Sequence, residues 1–147
     1  MKDVGTLVIG GWNSTFGGPQ KLVQIITPCK NWKNLTTSSS LTLDPLNLGA
    51  YLTTSLVVNQ KLFVVGGSLA ADCSEPECVS KSVRVLDLSG VTDLQESQMR
   101  KWTVLLELEE GVTSGVLQSW RGYLILIPGN LNMVQKISLK SLRHSIG

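Results

Sequence analysis

The sequence has few of the residues that carry chemistry in enzymes and metalloproteins. It contains one histidine, His144, and three cysteines among its 147 residues, whereas a zinc site needs three or four such ligands. It has no glycine-rich phosphate loop ahead of a helix and no Gly-x-Ser-x-Gly motif. We therefore expect a chain that is not an enzyme and that holds no cofactor.

Charge and hydropathy point away from two further classes of partner. Thirteen basic and eleven acidic residues give a net charge of +2, and the basic residues form no run that could follow a phosphate backbone. No window approaches the roughly 18 apolar residues that suggest a membrane span. The first residues carry Asp3 and several glycines and do not resemble a secretory signal. We expect no nucleic-acid or membrane partner. The length of the chain predicts a single domain over residues 1–147 with its own hydrophobic core.

The composition favours short strands over helices. Fourteen glycines accompany many Val, Leu, Ser and Thr residues, which suits strands joined by turns. The clearest stretch runs from Leu52 to Gly67, where two apolar runs flank Asn59-Gln60-Lys61. This pattern predicts an antiparallel hairpin. Its second run, Leu62 to Val65, is apolar on both faces, as in a strand covered from both sides.

A related pattern recurs along the chain. Gly10-Gly11, Gly66-Gly67 and Pro128-Gly129 each end an apolar strand, and Gly11, Gly67 and Gly129 are 56 and 62 residues apart. Periods of this size predict stacked antiparallel sheets. We divide the chain into units 1–45, 46–110 and 111–147, with three, four and three strands. Residues 131–145 also fit an amphipathic helix, but the alignment of 133–139 with 82–88 favours a strand.

The unit resembles the Kelch repeat, the blade of a β-propeller. That repeat has an apolar strand ending in Gly-Gly, a variable loop, a strand ending at Asp, and a Trp that opens the outer strand. The matching residues in this sequence are Gly10, Gly11, Trp32, Gly66, Gly67, Asp87, Trp102 and Gly129. The resemblance implies an all-β partial propeller of about three four-stranded blades, the first and last incomplete, in which these residues have structural roles.

The sequence departs from the Kelch pattern in two ways. The aromatic residue usual before the Asp is absent, since Leu86 stands there, and the third unit matches only through YLILIPG. A Kelch-like propeller is also expected to need about six blades, roughly twice what this chain supplies. We expect the ring to be completed by blades missing from this chain or by self-association.

The cysteines and two sequons bear on the compartment. Cys73 and Cys78 lie in a polar segment, where a local disulfide or two free thiols are more plausible than zinc. Asn13 and Asn34 begin Asn-x-Ser/Thr triplets and are candidate glycosylation sites. Together these features predict an extracellular or secreted glycoprotein, with the cytoplasm as the alternative.

Two acidic groups have both a functional and a plain interpretation. Asp72, Glu75 and Glu77 flank the cysteines and could bind calcium, although a solvated acidic loop is the simpler interpretation. A second group, Glu107, Glu109 and Glu110, could supply paired carboxylates for glycoside chemistry. Strict alternation over residues 102–109 instead predicts an outer strand with Glu107 and Glu109 on its solvent-facing surface. Its other face would carry Trp102, Val104, Leu106 and Leu108.

The resemblance predicts a non-catalytic scaffold that binds a protein or a glycan through its loops. The candidate loops are Leu69–Lys81, Ser89–Arg100 and Asn13–Gln20. One alternative is a fragment of a secreted, galactose-oxidase-like carbohydrate-active enzyme. Its copper ligands would lie in missing blades, because neither Tyr51 nor Tyr123 has a histidine partner in sequence. Another alternative is an intracellular substrate adaptor.

Overall fold

The computed structural model describes residues 6–15, 18–19, 23–27, 39–42, 51–70, 76–89 and 102–140. Within these ranges the chain forms short strands and one turn of 3-10 helix, Pro76–Cys78. The strands are β1 (Thr6–Ile9), β2 (Trp12–Asn13), β3 (Gly18–Pro19), β4 (Val23–Thr27), β5 (Ser39–Thr42), β6 (Thr54–Val58), β7 (Lys61–Val65), β8 (Ser82–Asp87), β9 (Thr103–Glu107), β10 (Gly115–Trp120), β11 (Tyr123–Pro128) and β12 (Gln135–Ser138).

Every strand pair is antiparallel. The strands form a first sheet β1-β4-β5, a middle sheet β6-β7-β8-β9 and a C-terminal sheet β10-β11-β12, with β2 and β3 as a separate small hairpin. Each of the three larger sheets is built from one of the sequence units, with three, four and three strands. The all-β prediction is confirmed. In the described residues, β12 also replaces the amphipathic helix considered for the end of the chain.

The hairpin of the middle sheet repeats in the C-terminal sheet with the same backbone conformation. Asn59 and Gln60 join β6 to β7 with φ of 49° and 62°, and Arg121 and Gly122 join β10 to β11 with φ of 46° and 79°. Positive φ at both central residues is the type I′ signature. Leu52 and Ser114, also 62 residues apart, have φ of 57° and 43°. The structure thus repeats at the spacing found in the sequence.

The first two glycine pairs also share one conformation. Gly10 and Gly11 have φ of 60° and 114°, and Gly66 and Gly67 have φ of 65° and 102°. Such angles are strained for any residue with a Cβ. Gly129 does not have positive φ. Pro128, the first residue of this pair, cannot have positive φ because its ring locks φ near −65°. The Pro128-Gly129 pair therefore replaces the glycine pair in sequence but not in backbone conformation.

The middle sheet is buried on both faces. On one face, Phe63, Val65, Val83 and Val85 form a single core cluster with the C-terminal sheet, which contributes Leu117, Leu124, Leu126 and Ile137. On the other face Leu62, Val64 and Leu86 are at most 1% exposed. This agrees with the sequence pattern of β7, which is apolar at successive positions. The core of the described region therefore lies between the middle and C-terminal sheets.

Backbone contacts join these two sheets near the end of β7. Gly67 N–H donates to Val112 O at 2.8 Å, and Ser114 N–H donates to Leu52 O at 2.8 Å. A Cβ on Gly66 would lie 2.9 Å from the Val112 carbonyl carbon, inside van der Waals contact. The absence of a side chain at Gly66 therefore permits the close approach of the segment that leads into β10.

The outer strand β9 departs from simple alternation. Val83 pairs with Leu106 and Arg84 with Val104, so Leu105 is an extra residue in a β-bulge. Beyond a bulge the two faces exchange, and Val104 is 46% exposed although the sequence alternation grouped it with Leu106. Leu105 and Leu106 both pack against the core cluster. The strict alternation expected over 102–109 was wrong because of this bulge.

Candidate functional site

Several loops begin at the end of the middle sheet where β7 finishes and β8 starts. We call it the loop edge and define it by Trp12, Tyr51, Ser68, Ala70 and Val79. Two isolated antiparallel bridges, Tyr51 to Ser68 and Ser68 to Val79, hold three segments of chain side by side beyond the glycine pair. The loop edge is therefore an extension of the rigid sheet.

Hydrogen bonds fix both ends of the predicted loop Leu69–Lys81. Leu69 N–H donates to Cys78 O at 2.8 Å, and Ser80 N–H donates to Gly67 O at 2.8 Å. The Ser68 hydroxyl donates to Ala70 O at 3.0 Å, and the Tyr51 hydroxyl donates to the same oxygen at 3.4 Å. The residues at both ends of the loop are therefore already held in place, so they lose little conformational entropy when the loop binds a partner.

An aromatic pair lies beside this base. The Trp12 and Tyr51 rings meet edge to face, with centroids 5.4 Å apart and an interplanar angle of 65°. Trp12 begins β2 immediately after the Gly10-Gly11 pair, and its side chain is 44% exposed. The contact brings the start of the predicted loop Asn13–Gln20 to the loop edge. A large, partly exposed aromatic side chain on a rigid support is a common feature of binding surfaces.

The three candidate loops do not share one edge of the middle sheet. β7 and β8 are antiparallel neighbours, so the loop after β7 and the loop after β8 leave from opposite ends. Leu69–Lys81 begins at the loop edge together with the β2–β3 hairpin, whereas Ser89–Arg100 begins beside the Asn59–Gln60 turn, where Leu88 N–H donates to Gln60 O at 2.7 Å. A single binding surface can therefore combine the first and third predicted loops but not the second.

Glu107, which ends β9, and two glutamates that follow the strand line a cleft of about 450 Å³. Glu107, Glu109 and Glu110 form one side, and Leu131, Met133 and Lys136 form the other. All three glutamates are exposed, as the sequence predicted for Glu107 and Glu109. Their exposure leaves the carboxylates solvated, so the cleft lacks the buried setting typical of a catalytic acid.

Other residues of the predicted repeat make local contacts in the structure. Asp87 ends β8, and its Oδ1 accepts a hydrogen bond from Ser89 N–H at 2.8 Å. In the C-terminal sheet the equivalent residue is Ser138, whose Oγ accepts from Lys140 N–H at 3.3 Å. Trp102 is half-buried directly before β9. The structural role expected for Trp102 in the repeat stays a prediction.

Other predicted residues are described only in part. Asn13 lies in β2 and pairs with Gly18, and Cys78 ends the 3-10 helix. Cys73, Trp32, Asn34 and His144 lie outside the described residues, as do Asp72 and Glu75. The Cys73–Cys78 disulfide and the glycosylation at Asn13 and Asn34 stay predictions.

Arg84 is a buried charged residue that the sequence motifs do not indicate, and it is 1% exposed in the middle of β8. Its Nη2 donates to Ser80 Oγ at 3.5 Å, and Ser80 Oγ also accepts from Ser82 N–H at 3.2 Å. Burial lowers the pKa of the Arg84 guanidinium. The one hint in the sequence was a basic residue inside the apolar run SVRVLDL. Arg84 is part of the sheet interior and not of the loop edge.

The two tyrosines of the oxidase alternative lie apart in the fold. Tyr51 is at the loop edge, and Tyr123 begins β11 with the Lys136 ammonium 4.0 Å above its ring. Within the described ranges no group of three or more His, Cys, Asp or Glu residues is arranged to hold a metal ion. The same ranges contain no helix that is long and apolar enough to span a membrane.

Comparison with models of known protein families and with curated proteins finds no match.

Proposed function

We propose that this chain forms consecutive Kelch-like propeller blades and acts as a non-catalytic scaffold that binds a protein or glycan at the loop edge. The observation that carries the proposal is the convergence of the Trp12–Tyr51 aromatic pair with the pinned base of Leu69–Lys81. Trp12 and Ser68 each directly follow a Gly-Gly pair, so they are equivalent positions of two successive units. Equivalent loops of stacked units form one continuous surface.

The packing of the middle sheet against the C-terminal sheet supports a radial arrangement. Strands β6 and β10 are the first strands of their sheets, and in the described region they are the two strands of different sheets that approach most closely. In a propeller the inner strands of neighbouring blades crowd around a central axis while the outer strands spread apart. Face-to-face sandwich sheets would instead remain about 10 Å apart along their whole width.

The loop edge also has the chemistry of a binding surface. Trp12 offers an exposed indole, which stacks on sugar rings and fills apolar pockets of proteins. Tyr51 and Ser68 hold the neighbouring backbone in place. By contrast, the cleft glutamates Glu107, Glu109 and Glu110 are all exposed. They lack the buried setting in which one carboxyl group could act as a general acid. A binding role therefore fits these residues better than catalysis.

A comparison of two exposed tryptophans tests the proposal. Trp12 is 44% exposed at the loop edge, and Trp120 is 53% exposed at the opposite end of the C-terminal sheet. We would screen the wild-type chain against a printed glycan array and a displayed peptide library, then measure the affinity of the selected binders for each variant. We expect Trp12→Ala to weaken binding by 2 kcal/mol or more, about thirtyfold, and Trp120→Ala to leave it within twofold or so of wild type.

The control for this comparison is the fold of each variant. Both tryptophans are half-exposed, so the far-ultraviolet spectrum and the unfolding midpoint of each variant should stay close to those of the wild type. If no glycan or peptide binds, or if the binders tolerate Trp12→Ala as well as Trp120→Ala, the proposal is wrong. Selection of binders that lose affinity only on Trp12→Ala supports it.

A further inference from the structure

The cleft beside the end of β9 lies between the outer strands of the middle and C-terminal sheets. It has a volume of about 450 Å³, and its lining comes from Glu107 and the residues after it and from the segment that runs into β12. The inner strands β6 and β10 approach each other closely, whereas no comparable approach joins β9 to β12 in the described residues. We call this space the acidic cleft and define it by Glu107, Leu108, Glu109, Glu110, Leu131 and Met133.

Part of the lining of the acidic cleft is apolar and is held in place by the core. Leu108 is 9% exposed and belongs to the core cluster, and Leu131 packs against the same cluster. Leu108 N–H also donates to Lys81 O at 2.8 Å, which ties this segment to the residue before β8. Met133 is 67% exposed, and its flexible side chain can cover an apolar group of a ligand. The cleft therefore offers a preformed apolar surface in addition to its charge.

The carboxylates of the acidic cleft are not neutralised by a basic side chain. Glu107, Glu109 and Glu110 are all exposed, and none of them forms an ion pair in the described structure. Lys136 is the one basic residue of the lining, and its ammonium lies 4.0 Å from the Tyr123 ring centroid. This cation–π contact holds the ammonium over the ring. The cleft thus presents more negative than positive charge, and it is complementary to a cationic ligand.

The arrangement of the carboxylates favours several separate cationic groups over one metal ion. In the part of the chain that the structure describes, no group of three or more His, Cys, Asp or Glu residues is arranged to hold a metal ion. The glutamates instead form one wall of the cleft, with Leu131 and Met133 on the opposite wall. In an extended peptide, alternate side chains point to opposite faces and are roughly 7 Å apart on each face. An extended peptide can therefore present cations to one wall and apolar groups to the other.

We propose that the acidic cleft binds an extended segment of another protein in which basic and aliphatic residues alternate. The Lys or Arg side chains of that segment contact the wall of glutamates, and its aliphatic side chains pack on Leu131 and Met133. Electrostatic complementarity brings such a segment to the cleft and fixes its orientation there. None of the cleft residues belongs to the loop edge, so this site does not depend on the function proposed above.

Two pentapeptides of equal charge test the chemistry of the ligand. Both carry a fluorescein label; one alternates Lys with Leu, and the other alternates Lys with Ser. We would titrate each with the full chain and follow fluorescence anisotropy at about 50 mM and about 300 mM NaCl. We expect the Lys–Leu peptide to bind with a Kd of about 100 µM or tighter at the lower salt, and the Lys–Ser peptide to bind on the order of tenfold more weakly. The higher salt should weaken binding of the Lys–Leu peptide by about threefold or more, because it screens the charges.

A matched pair of charge reversals tests the location. Glu109 and Glu77 are both exposed, but only Glu109 lines the cleft, whereas Glu77 lies in the 3-10 helix. We expect Glu109→Lys to weaken binding of the Lys–Leu peptide on the order of tenfold, and Glu77→Lys to leave it within about twofold of the wild type. If circular dichroism shows that Glu109→Lys does not fold, Glu110→Lys replaces it with the same expectation.

Three results would overturn the proposal. They are no binding of the Lys–Leu peptide, equal affinity for the two peptides, and equal loss of affinity in the Glu109→Lys and Glu77→Lys variants. Trp12→Ala should leave binding of the Lys–Leu peptide unchanged, because Trp12 does not line the cleft. The acidic cleft and the loop edge are thus tested with different ligands and different variants, and failure of one proposal is distinguishable from failure of the other.

Discussion

Gly66 is the residue at which substitution should most directly reveal how the middle and C-terminal sheets meet. It has φ of 65°, and its position leaves no room for a Cβ against Val112. Gly122 has φ of 79° but nothing within 4 Å of an added Cβ. Both glycines have positive φ, but only Gly66 lies against another backbone segment. Their alanine variants therefore separate the cost of positive φ from the cost of the steric clash at Val112.

The expected magnitudes follow from these two contributions. A left-handed backbone conformation costs an alanine about 1–2 kcal/mol, which is the whole expected loss for Gly122→Ala. Gly66→Ala adds displacement of the segment at Val112, and forcing atoms into a packed region costs about 1–3 kcal/mol more. We therefore expect Gly66→Ala to destabilise the chain by about 3 kcal/mol and Gly122→Ala by about half of that.

Urea unfolding followed by tryptophan fluorescence would measure both losses. With an m-value of about 2 kcal/mol/M, the midpoints should fall by about 1.5 M for Gly66→Ala and about 0.7 M for Gly122→Ala. Equal shifts for the two variants, at unchanged m-values, would mean that the backbone of Val112 does not approach Gly66 as described. The middle and C-terminal sheets would then not meet at Gly66 in the way described.

Two further changes test other parts of the fold. Gln60→Gly should stabilise the chain by about 0.5–1 kcal/mol, since φ at Gln60 is 62° and the equivalent residue of the next unit is Gly122; an unchanged or lower thermal midpoint would contradict the type I′ turn. Leu126→Ala should cost about 2–5 kcal/mol because Leu126 is 0% exposed in the core cluster, whereas Val104→Ala on β9 should cost under about 0.5 kcal/mol. Equal losses in chemical denaturation would argue against the stated core.

The sequence predicted the strands well because the apolar pattern and the turn residues agree with each other. The run Leu62–Val65 is apolar on both faces, and the structure buries it on both faces. The spacing of the glycine pairs likewise predicted repeats that the backbone angles reproduce. Local pattern and long-range packing are consistent at these positions, and such consistency is what makes a fold readable from sequence.

Other features depended on contacts that no local pattern records. The bulge at Leu105 exchanges the faces of β9, and one extra residue in a ladder leaves no trace in hydropathy. Pro128 ends an apolar strand as Gly10 and Gly66 do, but it cannot take the positive φ of those glycines. The meeting of Trp12 with Tyr51 joins residues 39 positions apart, and this contact could not be predicted without knowing how the units stack. The candidate site was therefore less predictable than the strands.

The direction in which the units stack is the central claim, and methyl–methyl nuclear Overhauser contacts would test it most directly. With Ile, Leu and Val methyls labelled in the full chain, we expect contacts from Leu124 and Leu126 to Val65 and Val83 of the middle sheet. We expect none between Ile127 and those two valines within the same chain. Contacts from Ile127 in place of Leu126 would mean that the C-terminal sheet presents its other face to the middle sheet, and the described stacking of the repeat would be wrong.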